Sequence, residues 1–202
     1  MKKSTEATSK SKHAAHEDMR PPRDIEAELA AMDDDDLFKI GVMGARDDLL
    51  TFMQFTWPSS EPMKIGRHTV AFCSRLTKAA WDYILHGKST YAIMNCPPRH
   101  GKSDIVSRFF PPWFLGLCHM MGLQPDVLLT SYGADVARGF SNDAKTLMEG
   151  DEYKAVFPGV KLSKKINSAE KWKVEGSKGT VNASGLIGSI TGKGGDVIVV
   201  DD

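Results

Sequence analysis

Three stretches of the chain carry apolar residues at the three- and four-residue spacing of a helix. Side chains that recur in this way form one apolar face, which packs on the rest of a protein. The helices predicted from this spacing cover residues 45–55, 69–85 and 134–148. Gly87 is the expected C-terminal stop of the second helix. A further helix can begin at Lys102, and it is predicted to bend or end near Pro111 and Pro112, because proline lacks the backbone N–H donor.

Short runs with apolar residues at their centre lie outside these helices and predict strands. The runs at residues 91–95, 126–131 and 197–200 have the length and composition of buried parallel strands. Residues 171–174 and 180–183 flank a turn with two glycines and predict a hairpin. Because strands alternate with helices, the sequence predicts an α/β fold with a mostly parallel sheet flanked by helices.

The first 34 residues follow neither pattern. They are polar and mixed in charge, Pro21 and Pro22 interrupt any helix, and the segment closes on the acidic run 33–36. The sequence therefore predicts a flexible N-terminal arm with one short helix over residues 25–31. The acidic run is typical of a solvated stretch whose last Asp caps the next helix, and a binding tail for a basic partner is the alternative.

The composition narrows the class of protein. The 202 residues suffice for one domain, or for one domain with a tail. Lys and Arg together number 26, as do Asp and Glu, so any surface for nucleic acid must be local. No apolar run approaches the roughly 20 residues of a membrane helix. The three cysteines lack the C-x-x-C spacing of a metal or redox site, which favours free thiols in a reducing compartment.

The loop after the first predicted strand carries the clearest chemical signal. Residues 96–103 read Cys-Pro-Pro-Arg-His-Gly-Lys-Ser and match the phosphate-binding pattern G-x-x-x-x-G-K-[ST] except at the first glycine, which is Cys96. Backbone N–H groups at the start of a helix attract phosphate oxygens, and Gly101 allows a close approach. Lys102 is expected on the terminal phosphates, and the Ser103 hydroxyl is expected to bind Mg²⁺.

Two carboxylates at the end of the last predicted strand complement this loop. Asp201 would hold Mg²⁺ directly or through water, and Asp202 would orient or deprotonate an attacking water. An ordinary strand that ends in a polar turn is the alternative for this segment alone. Together, the loop and the strand end predict a nucleotide-binding site.

With these motifs and several landmarks in the same order, the chain resembles the large terminase subunits of tailed bacteriophages, the ATP-driven motors that package DNA into capsids. The resemblance extends from about Phe55 to residue 202. Its landmarks are residues 95–103 (NCPPRHGKS), 109–116 (FFPPWFLG), 130–132 (TSY) with Ala137 and 140–141 (FS), Tyr153 with 156–160 (VFPGV), and 188–194 (GSITGKG) before 197–202. The Pro-Pro-Arg-His-Gly-Lys-Ser loop is much more selective than a general phosphate loop.

The resemblance implies a P-loop NTPase fold of the additional-strand type, incomplete at the C-terminus, that binds ATP and Mg²⁺. The implied metal ligands are Ser103 and Asp201. The implied catalytic residues are Asp202, where family members commonly have Glu, and Arg99, which would sense or neutralise the γ-phosphate; a solvated Arg99 is the alternative. His100 is interpreted as loop filler, since neither a metal partner nor a nucleophile accompanies it. The implied nucleotide-binding residues are Cys96, Pro97, Pro98, Arg99, His100, Gly101, Lys102 and Ser103.

Three further features carry weaker predictions. Phe55 and Trp57 match the upstream aromatic segment that contacts adenine in such motors, although core aromatics would look the same. Arg138 is a candidate for a finger acting on a neighbouring subunit, and an ordinary surface arginine is the preferred interpretation. A group of lysines predicts a DNA-facing patch or, as the favoured alternative, sheet edges protected from aggregation. These lysines are Lys161, Lys164, Lys165, Lys171, Lys173 and Lys178.

The resemblance also implies an organisation and a set of partners. It divides the chain into a flexible arm (1–34), a helical segment with the adenine-side aromatics (35–90) and a P-loop ATPase core truncated after the Walker B strand (91–202). The expected function is ATP hydrolysis that drives double-stranded DNA into a procapsid. The expected partners are the portal protein, the small terminase subunit and further copies in a ring, without a membrane, at the portal vertex in the cytoplasm of the bacterial host. The family's nuclease domain is absent from this chain.

Two other functions stay open at this point. One is a truncated, catalytically silent remnant that binds only nucleotide or a terminase partner. The other is a different P-loop enzyme, such as a helicase or a small-molecule kinase. The landmarks at 113–116 and 157–160 argue against the second alternative by resemblance.

Overall fold

A computed structural model describes residues 25–186 and 194–201. Within these ranges the chain forms helices and a five-stranded sheet. The helices are α1 (Ile25–Ala30), α2 (Asp34–Asp47), α3 (Leu49–Phe55), α4 (Arg67–His86), a π-helix (Asp104–Phe109), α5 (Phe110–Met120), α6 (Ala134–Glu149) and α7 (Asp151–Val156). The strands are β1 (Val127–Ser131), β2 (Leu162–Asn167), β3 (Lys171–Val174), β4 (Val181–Gly185) and β5 (Val197–Asp201). The predicted α/β class is confirmed.

The sheet is mixed, with the strand order β2-β3-β4-β1-β5. Strand β1 is parallel to both β4 and β5, whereas β3 is antiparallel to β2 and β4. Every residue of β1 is buried, as expected for a strand with a parallel neighbour on each side. The predicted hairpin is present as the β3–β4 pair. The carboxyl ends of β1, β4 and β5 therefore lie together at one end of the sheet.

Carboxylates fix the opposite, amino ends of the parallel strands. The Asp126 carboxylate accepts from the Thr180 N–H at 2.8 Å. The Asp196 carboxylate accepts from the Asp126 N–H at 2.8 Å and from the Tyr83 hydroxyl at 2.9 Å. These bonds connect α4 with the starts of β1, β4 and β5. They therefore help to set the register of the three strands, and with it the positions of their carboxyl ends.

The helices share one hydrophobic core with the sheet, and buried side chains of α2, α3, α4, α5, α6 and α7 belong to it. Polar groups inside this core are paired across elements. The Trp113 indole N–H donates to the Ala45 carbonyl at 2.9 Å, and the Tyr153 hydroxyl donates to the Pro112 carbonyl at 3.0 Å. The helical segment before residue 90 is therefore packed directly against the part that carries the phosphate-binding motif.

The strand predicted at residues 91–95 is wrong. This segment is irregular, and Tyr91 and Ile93 are 93% and 92% exposed. A strand needs a neighbour for its backbone hydrogen bonds, and among the described residues β5 pairs with β1 alone, so that it forms an edge of the sheet. Ile198 and Val200 on β5 are correspondingly exposed.

The helix predicted to begin at Lys102 does not end near the two prolines, but its type changes directly before them. Helical structure starts at Lys102, widens into the π-helix, and continues as α5. The Phe110 N–H donates to the Ile105 carbonyl, five residues back, and Pro111 and Pro112 fall in the first turn of α5. The π turn before α5 interrupts the regular α-helical hydrogen bonding, so the two prolines occupy the positions of a helix start, where the missing N–H is tolerated.

Other boundaries differ from the prediction by a few residues. The predicted helix 45–55 is two helices, because Asp48 caps α3 by accepting from the Thr51 N–H at 2.8 Å. The short helix predicted at 25–31 is α1, while residues 1–24 of the N-terminal arm lie outside the described residues. The first Asp of the acidic run, and not the last, caps α2, because the Asp33 carboxylate accepts from the Asp36 N–H at 2.8 Å. Gly87 ends α4 in the left-handed conformation, with φ 60°, as predicted. In the described part of the chain, no helix combines the length and apolarity needed to cross a bilayer.

Candidate functional site

The loop at residues 96–101 is exposed and runs directly into the helix that starts at Lys102. Its backbone enters the left-handed region twice, at Arg99 (φ 64°) and at Gly101 (φ 74°). Gly101 does so at little cost, whereas a non-glycine residue in this region is strained. Turns of this kind direct successive N–H groups into a concavity that suits an anion.

Two histidines contact carbonyl groups of this loop. The Nε2 atom of His68, in the first turn of α4, lies 2.9 Å from the His100 carbonyl oxygen. The Nδ1 atom of His100 lies 2.9 Å from the Pro98 carbonyl oxygen. Because a carbonyl only accepts, both ring nitrogens must carry hydrogen. His100, interpreted from the sequence as loop filler, thus has a defined bond within the loop.

The loop and the end of β5 meet, although they are about a hundred residues apart in the chain. The Nζ atom of Lys102 lies 3.8 Å from Oδ1 of Asp201, and the two side chains are 25% and 1% exposed. The structure therefore brings together the lysine of the first predicted motif and the aspartate of the second. Asp202 lies outside the described residues.

The Asp201 carboxylate is held by a residue that the sequence reasoning missed. The hydroxyl of Ser107, itself buried, donates to Oδ2 of Asp201 at 2.9 Å. Ser107 follows Ser103 by four residues, so both lie on the same side of the helix. This spacing was the available signal, but a serine four residues along a helix is too common to indicate a partner on a distant strand.

The second oxygen of Asp201 has the chemistry of a metal ligand. Oδ1 is buried and accepts no hydrogen bond from the described residues. A buried carboxylate oxygen without a donor is costly unless a cation compensates its charge. Mg²⁺ prefers such hard oxygens and keeps several ligands from water and phosphate. The described side chains include no cluster of three His, Cys, Asp or Glu residues suited to a metal, so a Mg²⁺ ion here would depend on phosphate oxygens.

Four other residues assigned to the phosphate loop have simple surroundings. Arg99 is exposed, and its side chain makes no contact with the described residues that would hold it in place. Pro97 and Pro98 are exposed and supply no N–H donors. Cys96 is half-buried and carries a free thiol at the position of the usual first glycine.

A cavity of about 610 Å³ lies beside the helix that follows the loop. Its walls include Trp57 and Asp104, the residue next to Ser103. The Trp57 indole stacks on Phe109, with ring centroids 5.7 Å apart and planes 16° apart. Phe55 is not part of the wall; its ring packs against Phe38, with centroids 5.5 Å apart.

Arg108 is one of the polar residues in the cavity wall and was also missed from the sequence. Its guanidinium binds Asp104 at 2.6 Å and Asp143 at 2.8 Å, and it lies over the Phe140 ring, 5.6 Å from the centroid. Arg108 thereby connects the π-helix with α6. Because the Arg108 guanidinium already has these two carboxylate partners, its charge is balanced within the cavity wall.

The remaining candidate cations lie on other surfaces. Arg138 on α6 pairs with Asp135 and with Glu170, the latter at 2.8 Å, and these carboxylates raise the pKa of its guanidinium. The lysines between 161 and 178 lie on and around β2 and β3, mostly exposed, and form no ion pair within the described residues. They occupy the edge of the sheet opposite to β5.

A scan against protein-family models and searches of curated proteins and of solved structures find no match to this chain. The function is therefore inferred from the residues and their geometry.

Proposed function

We propose that this chain binds ATP with Mg²⁺ in a P-loop NTPase fold and hydrolyses it, as the ATPase part of a DNA-packaging motor of the large terminase type. The observation that carries the proposal is the approach of Lys102 to Asp201, at 3.8 Å. A lysine at the start of a helix beside a buried strand-end carboxylate is the arrangement that a magnesium-bound triphosphate requires.

The loop supplies the groups that bind phosphate. The N–H groups of residues 99–103 lie at the start of a helix, where the helix dipole favours negative charge. Lys102 would exchange its contact with Asp201 for one with the terminal phosphates when nucleotide enters. Arg99 is exposed beside the loop and is free to neutralise the γ-phosphate.

Asp201 and Ser103 are the residues that would hold the metal. Oδ1 of Asp201 is the acceptor without a donor, and Ser103 directly follows the phosphate-binding lysine. When bound, Mg²⁺ would offset the charge that develops on the phosphate oxygens. Ser107 keeps the Asp201 carboxylate turned so that Oδ1, and not Oδ2, faces the loop.

Asp202 is the proposed base for hydrolysis. It follows Asp201 directly, at the end of the strand whose carboxyl end meets the loop. A water oxygen attacks the γ-phosphorus as the bond to the bridging oxygen of ADP breaks, and the water proton passes to the Asp202 carboxylate. Asp is one methylene shorter than the Glu common in the family, so the water must lie closer to the strand end.

The cavity next to the loop is the proposed site of the adenine base. Trp57 offers a ring already stacked on Phe109, and base stacking on such a surface is favourable. The carboxylates of Asp143 and Glu152 in the cavity wall can accept hydrogen bonds from an exocyclic amino group.

The lysines on β2 and β3 are the proposed contact for double-stranded DNA. They are exposed and unpaired within the described residues, and each contact with a phosphate releases counterions. In this proposal the portal protein, the small terminase subunit and further copies of the chain in a ring complete the motor at the procapsid.

Replacement of Lys102 tests the proposal. Lys102→Ala is expected to weaken Mg-ATP binding by at least about tenfold and to lower turnover by about a hundredfold, because the terminal phosphates lose their cation. Isothermal titration and phosphate release measure the two effects. The matched control is Lys78→Ala on α4, an exposed lysine paired with Asp82. Equal binding and turnover in wild type and Lys102→Ala would overturn the assignment.

One observation favours a second function, nucleotide binding without turnover. Residues 91–95, which lead into the loop, lie outside the sheet, so no strand pairing fixes the loop relative to β5. A chain of this kind would show a higher melting temperature with Mg-ATP but no phosphate release. Thermal melts and turnover measured on the same sample separate the two functions.

A further inference from the structure

We propose that His68 and His100 act as positioning residues that turn the peptide groups of the phosphate loop, so that the N–H groups of Gly101 and Arg99 face the ligand. This inference rests on the proposed function, since it concerns how the same loop binds phosphate. Neither histidine side chain is placed on the nucleotide itself. Each acts through a carbonyl of the loop.

The first argument is the geometry of the peptide group. The described chain has no cis peptide bond, so the C=O of one residue and the N–H of the next point in opposite directions. His68 holds the His100 carbonyl from the side of α4, which turns the Gly101 N–H away from α4. In the same way, the bond from His100 to the Pro98 carbonyl fixes the direction of the Arg99 N–H.

The second argument is that this loop has few donors and a strained backbone. Pro97 and Pro98 have no N–H groups, so the direction of each remaining N–H matters more than in a glycine-rich loop. Arg99 is held at φ 64°, where a side chain is unfavourable. Such a conformation persists only when its surroundings impose it, and the two histidine bonds are the contacts that do so on either side of Arg99.

The third argument is that His68 is itself fixed in place. A Cβ atom on Gly66 would lie 2.6 Å from Cε1 of His68, so only glycine leaves room for the ring. The His68 ring also lies edge-on to the rings of Phe72 and His100, with centroids 6.3 Å and 5.4 Å away. Nε2 is 3.4 Å from the Thr69 hydroxyl, which is longer than its 2.9 Å contact with the loop carbonyl.

The test uses variants that keep or remove only the donor atom. The side-chain amide nitrogen of glutamine can replace Nε2 of His68, and that of asparagine can replace Nδ1 of His100. We therefore compare His68→Gln with His68→Leu, and His100→Asn with His100→Leu, in titrations with Mg-ATP and with adenosine. Gly66→Ala serves as a further variant that displaces the His68 ring while the ring itself is unchanged.

Both leucine variants and Gly66→Ala are expected to bind Mg-ATP about tenfold more weakly, whereas the amide variants stay within about twofold of wild type. Adenosine affinity is expected to be unchanged in all of them, because adenosine has no phosphate. Equal losses in the leucine and amide variants would overturn the inference, as would equal losses for ATP and adenosine, which would indicate a purely structural role.

A second measurement needs no nucleotide and separates this inference from the proposed function. In the ligand-free protein, the ¹³C signal of the His100 carbonyl and the ¹⁵N–¹H signal of Gly101 are expected to shift in His68→Leu and to return toward wild type in His68→Gln. Unchanged signals in His68→Leu would overturn the inference. If the wild-type protein binds no nucleotide while the variants show these shifts, the result would contradict the proposed function and not this inference.

Discussion

The carboxylate of Asp201 is buried at the end of β5, and its two oxygens have different neighbours. Oδ2 accepts from the Ser107 hydroxyl at 2.9 Å, while Oδ1 faces Lys102 at 3.8 Å without a hydrogen bond. A buried charge is retained when it is paired and oriented. Here the lysine supplies the opposite charge and the serine supplies the orientation, so two neighbouring side chains fix the charge balance and the direction of the carboxylate.

Ser107→Ala is expected to affect both stability and metal dependence. Loss of a hydrogen bond to a buried charged group costs about 1.5–3 kcal/mol of unfolding free energy. The Asp201 carboxylate would also lose its fixed orientation, so a higher Mg²⁺ concentration, by about threefold or more, would be needed for half-maximal nucleotide binding. Urea unfolding and Mg²⁺ titrations at constant ATP measure the two effects.

The matched control is Ser184→Ala on β4. Its hydroxyl is buried without a partner among the described residues, so its removal is expected to leave stability equal or slightly higher. If Ser107→Ala behaves like Ser184→Ala in both measurements, the hydroxyl of Ser107 has no role in holding Asp201.

Residues of the candidate site differ in how far the sequence alone could predict them. Gly101, Lys102 and Ser103 were predicted from a short motif, because residues that are adjacent in one turn can face one ligand whatever the rest of the fold. The meeting of Lys102 with Asp201 was predicted because the two motifs complement each other in one nucleotide site, although the strand predicted before the loop is not part of the sheet. His68 and Ser107 were not predicted, since their roles depend on which helix face reaches the loop or the strand end.

At the scale of elements, the contact between β3 and α6 holds the antiparallel part of the sheet. Trp172 is fully buried, and its indole N–H donates to the Ser141 hydroxyl at 2.8 Å. Ser141 belongs to the buried side of α6, which also packs on β1 and β4. The lysine-bearing strands are thus fixed to the helix that borders the cavity.

Trp172→Phe is expected to lower the unfolding free energy by about 1–3 kcal/mol. The change leaves the Ser141 hydroxyl without its donor and creates a small void in the core. Chemical denaturation measures the loss. The matched control is Trp81→Phe, because the half-buried Trp81 donates to the Asp47 carbonyl at 3.0 Å from a more exposed position. A cost no larger than that of Trp81→Phe would contradict the proposed importance of the β3–α6 contact.

Elements with a local signal were predicted well. The sequence shows the three- and four-residue spacing of apolar positions in α4 and α6, and it shows the apolar runs of β1 and β5. These patterns are visible because each of these elements packs an apolar surface. The strand at 91–95 was wrong because strand formation depends on a neighbour, which sequence composition does not show. β2 was missed because its two lysines and few apolar residues hide its pairing with β3.

At the scale of the whole molecule, the three thiols report on folding and on the site. Cys73 and Cys118 are fully buried, and burial raises the pKa of each thiol from 9.0 to about 12. They are therefore neutral and unreactive near pH 8, since the thiolate is the reactive form. Cys96 is half-buried in the phosphate loop.

Alkylation at pH 8 is expected to modify Cys96 alone in the folded protein and all three thiols in denaturant, with mass spectrometry as the measurement. Mg-ATP is expected to slow the reaction at Cys96. Because the two buried thiols have raised pKa values, their contribution to stability is full below about pH 9 and is lost as the pH rises toward about 12. Rapid modification of Cys73 or Cys118 without denaturant would contradict the packing described for α4 and α5.

The π-helix between Asp104 and Phe109 has a consequence for how this region can evolve. A π turn contains about one residue more than an α turn, and here it lies between Lys102 and the deeply buried α5. Deletion of a single codon within it would restore ordinary α-helical bonding and leave Lys102 and Ser103 at nearly the same angle around the helix axis relative to α5, because the wide turn accommodates the additional residue. Deletion of one codon from the α-helical turns that follow would instead rotate the two residues by roughly 100° relative to the rest of α5. Single-codon deletions among functional variants should therefore fall within residues 104–109 rather than in α5.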